Sequence, residues 1–430
     1  MKKKLAFFSG LLFSILLSAY EIKIVPDRPD RIYKCDEMAN FTVTVTDKGA
    51  PFKDGKLTVV FTNGYGTRRQ AAIEKQLSGE PLTFSGTTHV PDLLRCNVAM
   101  KPNDGQSILT HTNVMFEPYG IQPGASCPED FQQYWEHQIA ELAKTPADER
   151  CEQLPNFKSD NCRSYKVSFA TPVGRVYGFL SLPPKPGKYP AIVNIAAAGP
   201  GYNSRHRHAP NYVILTMNVH NIDPKENMQP DYQQLCEEGL KISGYAGWGA
   251  YLYAGADSRD TFYFRAPILG LYRSIEWLAK HPEVDASHMG YFGVSQGGGL
   301  GLIMAGLTQR FKAIVVAVPA LCDFGGKSVG RTSGWPGYVA YYEKKGLPNL
   351  KECFYFDAVN FARSITCPVR IAIGFNDVVC TPTSICAAYN VIPSQDKKLL
   401  CEPEAGHDAD TREQYREAAF KWLNEYLSAN

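Results

Sequence analysis

The sequence predicts an α/β unit, a mostly parallel sheet covered by helices, preceded by a small all-β sandwich of immunoglobulin type. Three observations lead there. From residue 164 onward, strand-like apolar runs alternate with helical patterns, as in a parallel sheet. Several later runs, such as Ala313-Ile314-Val315-Val316-Ala317, are apolar at every position, which suits strands covered on both faces. Between about Tyr33 and Phe116 the runs are instead short, alternating and β-branched, with turn residues between them. At 430 residues the chain exceeds the usual size of one core, so two units are expected.

In chain order, residues 1–19 read as an export signal. Lys2-Lys3-Lys4 precede an apolar run from Leu5 to Leu17, and small residues Ser18-Ala19 follow. The run, about 13 residues long, falls short of the ~20 that span a bilayer. Cleavage near Ala19 would give a secreted or periplasmic protein with no membrane span.

Residues 21–117 are assigned to the sandwich. Phe41-Thr42-Val43-Thr44-Val45-Thr46 alternates strictly and Asp47-Lys48-Gly49 turns the chain. Leu57-Thr58-Val59-Val60-Phe61-Thr62, Leu82-Thr83-Phe84 and Arg95-Cys96-Asn97-Val98-Ala99-Met100 follow. None of these strands carries a catalytic constellation, so no catalytic group is expected before about Pro118.

Residues 118–430 are assigned to the α/β unit, entered through a linker at 118–123. Ser126 is expected to cap a helix over 128–144, whose Phe131, Tyr134, Trp135, Ile139 and Leu142 share one face. Strands are then expected at 164–170, 176–182, 191–197, 212–219, 289–294, 313–318, 369–373 and 398–402. Helices are expected at 264–280, 297–307, 382–389 and 412–427.

Charge narrows the function. With 45 Lys+Arg against 43 Asp+Glu, the formal charge is +2, which argues against a nucleic-acid partner. The 12 cysteines are even in number but contain no C-x-x-C. Cys35 and Cys96 could bridge two strands of the sandwich, and Cys127, Cys151 and Cys162 lie near the junction. Buried free thiols are an equal alternative, and the connectivity stays open.

The chemistry concentrates at Gly293-Val294-Ser295-Gln296-Gly297, a G-x-S-x-G pentapeptide. The pattern alone is weak, but the strand Met289-Gly290-Tyr291-Phe292-Gly293 runs into it and a Gly-rich helix start follows. A nucleophile elbow needs that strand–turn–helix context, with small neighbours around a strained, exposed serine. A serine hydroxyl needs a base, and the base needs an orienting acid. Asp377 follows the apolar strand at 369–373, and His407 follows the next strand, within Glu404-Ala405-Gly406-His407-Asp408. Both lie beyond carboxyl ends of strands, where such sheets bind ligands. Asp408 is a rival acid, poorly placed because it adjoins the histidine in sequence. His407 would work as neutral imidazole, so activity should fall on the acid side of neutrality.

These segments, together with the block from Asn376-Asp377 through Thr381-Pro382 to Ala387-Ala388-Tyr389-Asn390, resemble the acetyl xylan esterase and cephalosporin C deacetylase family of α/β hydrolases. The similarity runs from about Phe131 to the C-terminus. The resemblance implies a triad of Ser295, Asp377 and His407, an oxyanion hole using the backbone N–H of Gln296, and no cofactor. It also implies an acetylated carbohydrate as substrate. The family's second oxyanion donor lies in a His-Gly-Tyr loop. Here the loop reads Ala197-Ala198-Gly199-Pro200-Gly201-Tyr202-Asn203, so Tyr202 matches only through an altered loop, and Pro200 has no N–H to give. The family's Arg-Gly-Gln stretch is replaced by His220-Asn221-Ile222-Asp223.

His206-Arg207-His208 and His220 lie close enough in sequence to suggest zinc ligands. A catalytic zinc needs three ligands and an open position, and Arg207 would oppose a cation, so no metal is expected and these residues read as a solvated loop. Trp248, Tyr251 and Tyr253 could wall a small acyl pocket or simply pack. The function expected is a serine esterase deacetylating xylan-type carbohydrate. A peptidase or another ester hydrolase on the same fold, or a catalytically silent carbohydrate-binding protein, are the alternatives. No propeller-like repeats favour a peptidase, and a dienelactone-type hydrolase would carry Cys at position 295. Compact members of the family form oligomers, and a homo-oligomer is left open.

Overall fold

The computed structural model describes residues 20–63, 68–154, 162–199, 209–223, 249–411 and 413–428. The expected export signal and Tyr202, His206, Arg207, His208 and Trp248 lie outside the described residues.

The described amino-terminal residues form ten strands: β1 (Tyr20–Pro26), β2 (Ile32–Tyr33), β3 (Ala39–Asp47), β4 (Ala50–Pro51), β5 (Gly55–Asn63), β6 (Arg68–Arg69), β7 (Ile73–Gln76), β8 (Leu82–Gly86), β9 (Asp92–Pro102) and β10 (Ile108–Phe116). They form one sheet ordered β1-β3-β4, with β8 also on β3, and a second ordered β2-β10-β9-β5-β6, with β7 on β5. All pairings are antiparallel except β2 with β10. Alternation drives the arrangement: Phe41, Val43 and Val45 of β3 and Leu57, Val59 and Phe61 of β5 turn inward and share one apolar core. Cys96 is an inward residue of that core and is a free thiol, as is Cys35. The Cys35–Cys96 bridge therefore does not form; Cys96 fills a core position as a small hydrophobe. The eleven cysteines among the described residues are all free.

The second part begins with α1 (Phe131–Lys144). This helix starts later than expected, with Asp130 rather than Ser126 at its N-cap. The Asp130 carboxylate accepts from Arg259 and Tyr355 instead of capping. Next come β11 (Arg150–Gln153), β12 (Arg163–Thr171), β13 (Gly174–Leu182), β14 (Tyr189–Ile195), β15 (Val213–Met217), α2 (Arg265–Leu278), β16 (Val284–Val294), α3 (Gln296–Thr308) and β17 (Ala313–Ala317). The chain continues through α4 (Tyr338–Lys345), α5 (Ala358–Ala362), β18 (Val369–Gly374), α6 (Pro382–Asn390), β19 (Lys397–Glu402) and α7 (Glu413–Leu427). All eight strands expected here are present; β11, α4 and α5 were not foreseen.

Among the described residues, the nine strands of this part are ordered β11-β12-β13-β15-β14-β16-β17-β18-β19. From β15 to β19 every pairing is parallel, while β11, β12 and β13 extend the sheet antiparallel. The sheet is thus mixed, and the strand order reverses at β14, which lies between β15 and β16. Open sheets bind ligands outside the carboxyl ends of strands at such a switch point. Strand β17 is wholly buried, and β15 and most of β18 likewise, because helices cover both faces. No helix among the described residues is long and apolar enough to cross a membrane.

Candidate active site

Strands β16, β18 and β19 run parallel, so their carboxyl ends meet on one edge of the sheet. Ser295 leaves the end of β16, Asp377 follows β18 and His407 follows β19.

The turn at Ser295 is strained. Its backbone has φ 55° and ψ −122°, a region an L-residue occupies only when its surroundings force it. Its neighbours have no room for side chains. A Cβ on Gly297 would lie 2.2 Å from the Ile195 carbonyl oxygen, and one on Gly293 would lie 2.5 Å from the Tyr291 hydroxyl. The strained turn is held by Ser295 N–H donating to Ala317 O at 3.0 Å and by Ser295 O accepting from Ala320 N and Gly299 N. Helix α3 starts at Gln296, so backbone N–H groups of its first turn face the serine's side of the turn without intrahelical acceptors.

The structure brings the three expected residues into one chain of hydrogen bonds. His407 Nε2 lies 3.0 Å from Ser295 Oγ, and His407 Nδ1 lies 2.8 Å from Asp377 Oδ2. Asp377 is fully buried and Ser295 nearly so, whereas a third of the His407 side chain is exposed. The other carboxylate oxygen of Asp377 accepts from Val379 N at 2.7 Å and Cys380 N at 2.9 Å. Burial of this charge is thus offset by two backbone donors and the ring. The rival Asp408 instead accepts from Gly406 N–H at 2.9 Å, shaping the histidine loop. With Nδ1 carrying a proton toward Asp377, Nε2 is free to take one from the serine hydroxyl.

Several surrounding residues carried no sequence signal for their roles. The thiol of Cys380, whose backbone N–H donates to Asp377, is pushed well up by burial, so it stays protonated. Tyr251 is fully buried and its hydroxyl donates to Gln296 Oε1 at 2.6 Å; it fixes the residue after the serine and does not line an open wall. Tyr253 stacks on Tyr341 and donates to Pro336 O at 2.9 Å. His220 is not part of a solvated loop. It is buried against Tyr251, and its Nδ1 lies 2.7 Å from the Tyr263 hydroxyl. Burial pushes its pKa down to about 4, leaving a neutral ring. No cluster of three or more metal-ligating side chains occurs among the described residues.

Comparison with known proteins gives the family. The family model described as acetyl xylan esterase (AXE1) matches residues 119–426. The acetyl esterase Axe7A of Xylanibacter ruminicola is 29% identical over 386 residues, covering 87% of this chain and 84% of that protein. The acyl-coenzyme A thioesterase 1 of Mus musculus is 27% identical over 148 residues, 33% of this chain and 27% of that one. Among solved structures, acetyl xylan esterase 1 of a Thermoanaerobacterium species superposes with a TM-score of 0.61 at 22% identity, covering 73% of this chain and 98% of that chain. The acetyl xylan esterase of a Paenibacillus species gives a TM-score of 0.60 at 21% identity, covering 72% of this chain and 99% of that one. Both structural likenesses bear on the fold, which is that of the α/β-hydrolase esterases. By the extent of the family match, the chain belongs to the acetyl xylan esterase family of serine carboxylic-ester hydrolases.

Proposed function

We propose that the chain is an exported esterase that removes O-acetyl groups from xylan-type carbohydrates through an acetyl-enzyme. The observation that carries the reading is His407 bridging Ser295 and Asp377 at hydrogen-bonding distance on both sides. Ser295 Oγ attacks the acetyl carbonyl carbon as its proton passes to His407 Nε2. Asp377 holds the ring tautomer and stabilises the imidazolium. The N–H of Gln296 donates to the oxyanion, with a second donor assigned to the loop around Tyr202. Collapse breaks the ester bond, and the sugar oxygen leaves with the proton from His407. Water, deprotonated by the same ring, then releases acetate and restores the serine. Every proton in this cycle is carried by His407, so the reading requires no metal or cofactor.

Residues 1–19 serve as the export signal in this reading, residues 21–117 as an immunoglobulin-like sandwich, and residues 118–430 as the catalytic unit. Secretion or periplasmic location follows from the signal. A small acyl pocket is part of the proposal, since forcing a longer chain against a packed wall costs about 1–3 kcal/mol. At ~1.36 kcal/mol per tenfold, acetyl esters should exceed butyryl esters by about five- to 150-fold in kcat/KM. The test is acetate release from acetylated xylo-oligosaccharides beside matched acetyl and butyryl nitrophenyl esters and a peptide panel. A butyryl preference would remove the small pocket, and peptide cleavage faster than deacetylation would replace the function.

A further inference from the structure

The loops that carry Asp377 and His407 are tied to each other, and each is also tied to the amino-terminal sheets. Between the loops, Asn376 N–H donates to Ala405 O at 2.9 Å and Phe375 N–H to Glu402 O at 3.2 Å. From outside, Asn113 on β10 donates through Nδ2 to Phe375 O at 2.7 Å, two residues before the acid. Asn113 is fully buried, and Arg95 Nε donates to its Oδ1 at 3.1 Å, which fixes the amide with its nitrogen toward the loop.

Arg31 reaches the histidine loop in the same way. Its Nη1 donates to Pro403 O at 3.0 Å and its Nη2 to Glu404 Oε1 at 3.0 Å, four and three residues before His407. Nη1 also donates to Thr112 Oγ1 at 2.9 Å, beside Asn113 on the same strand. The Arg31 backbone is in the left-handed region at φ 54°, and its carbonyl accepts from Met115 N at 2.9 Å. Two buried polar side chains, Asn113 on β10 and Arg31 just before β2, therefore each donate to one backbone carbonyl in a triad loop. Without Asn113 the buried Phe375 would lose its side-chain donor, a loss that costs about 1–3 kcal/mol, and Arg31 gives the half-buried Pro403 carbonyl a donor closer than Asn376 Nδ2 at 3.4 Å, so each loop has a defined resting place.

We propose that Asn113 and Arg31 are positioning residues for ester hydrolysis, setting the Asp377–His407 separation from outside the α/β unit. This rests on the triad reading above. The amino-terminal sheets thus act by completing the support of the Asp377 and His407 loops. Misplacing a catalytic group by about 1 Å can cost ~10²-fold in rate, which is the scale of effect at stake.

The test uses the full chain, with Asn113→Leu, Arg31→Met and Arg31→Lys. Arg68→Met is the control, because Arg68 also joins the two parts, through Val329 O at 3.3 Å, but away from the triad loops. Each is treated with excess 4-nitrophenyl phosphonate, on which serine attack at phosphorus expels nitrophenolate. The final labelled fraction counts competent sites, and the rate constant reports their reactivity. The expected result is full labelling at a rate lowered about 10- to 100-fold in Asn113→Leu and Arg31→Met, with kcat for nitrophenyl acetate falling alike and KM within about threefold. Arg31→Lys, which keeps one donor, should recover most of the rate, and Arg68→Met should match the parent. A reduced labelled fraction whose remaining sites react at the parent rate would reduce both residues to a purely structural role and overturn the proposal. So would parent rates in both Arg31→Met and Arg31→Lys. Ser295→Ala runs alongside: if it labels like the parent, the triad reading fails instead.

Discussion

The Oδ2 atom of Asp377 lies 2.8 Å from His407 Nδ1, while its other carboxylate oxygen is held by two backbone N–H groups of its own loop. The acid is therefore fixed before the histidine meets it. It can present a lone pair to Nδ1, which specifies the tautomer that leaves Nε2 unprotonated toward Ser295.

Asp377→Asn should lower kcat by about four orders of magnitude, because an amide turned to keep its backbone bonds would favour the wrong tautomer. Asp408→Asn should stay within about tenfold of the parent, since Asp408 accepts from Gly406 N–H in the histidine loop, while Asp377 is the acid that faces Nδ1. Steady-state rates on a nitrophenyl ester compare the two. Greater damage from Asp408→Asn would move the acid assignment.

Gly297→Ala should disrupt the elbow. The added methyl would stand 2.2 Å from the Ile195 carbonyl oxygen, a backbone atom with no rotamer to escape through. Overpacking of this kind costs about 1–3 kcal/mol. Urea unfolding should show that loss, accompanied by reduced turnover as Ser295 is displaced. Parent stability and turnover together would mean the turn is not the constraint described.

A pH-dependent contribution is expected from Arg163 at the start of β12, whose guanidinium faces both oxygens of Glu283 just before β16. Hydrogen bonds from Arg163 hold the Glu283 carboxyl below the usual glutamate range, against an opposing effect of burial. A folded pKa below the unfolded one means stability that is present above the ordinary glutamate value, ~4.3, and lost as pH falls through the folded value. Arg163→Met should cost about 1 kcal/mol near pH 7, and the gap from the parent should close below about pH 4. Urea titrations at the two pH values measure it; a gap independent of pH would exclude the ionic origin.

How much was readable from sequence depended on how local each signal was. Ser295, Asp377 and His407 were legible because each lies beyond the carboxyl end of a strand, and because Gly293 and Gly297 mark the tight turn. Arg31 and Asn113 were not, since their loop partners lie 372 and 262 residues away and nothing near either residue signals a contact. Tyr251 stood in a Gly-rich stretch that suggested a pocket wall; its full burial and its bond to Gln296 come from tertiary packing. Helix α4 is eight residues long between Gly337 and Gly346, too short for helical periodicity to show. The even number of cysteines left bridges possible, but Cys96 simply occupies an inward strand position.

The most direct test of serine-centred deacetylation is turnover of an acetyl ester by Ser295→Ala, with circular dichroism and urea unfolding confirming an intact fold. Loss of the hydroxyl should reduce kcat by about three or more orders of magnitude while the unfolding midpoint stays near the parent's. A folded Ser295→Ala protein that retains turnover within about tenfold of the parent would contradict nucleophilic attack by this residue.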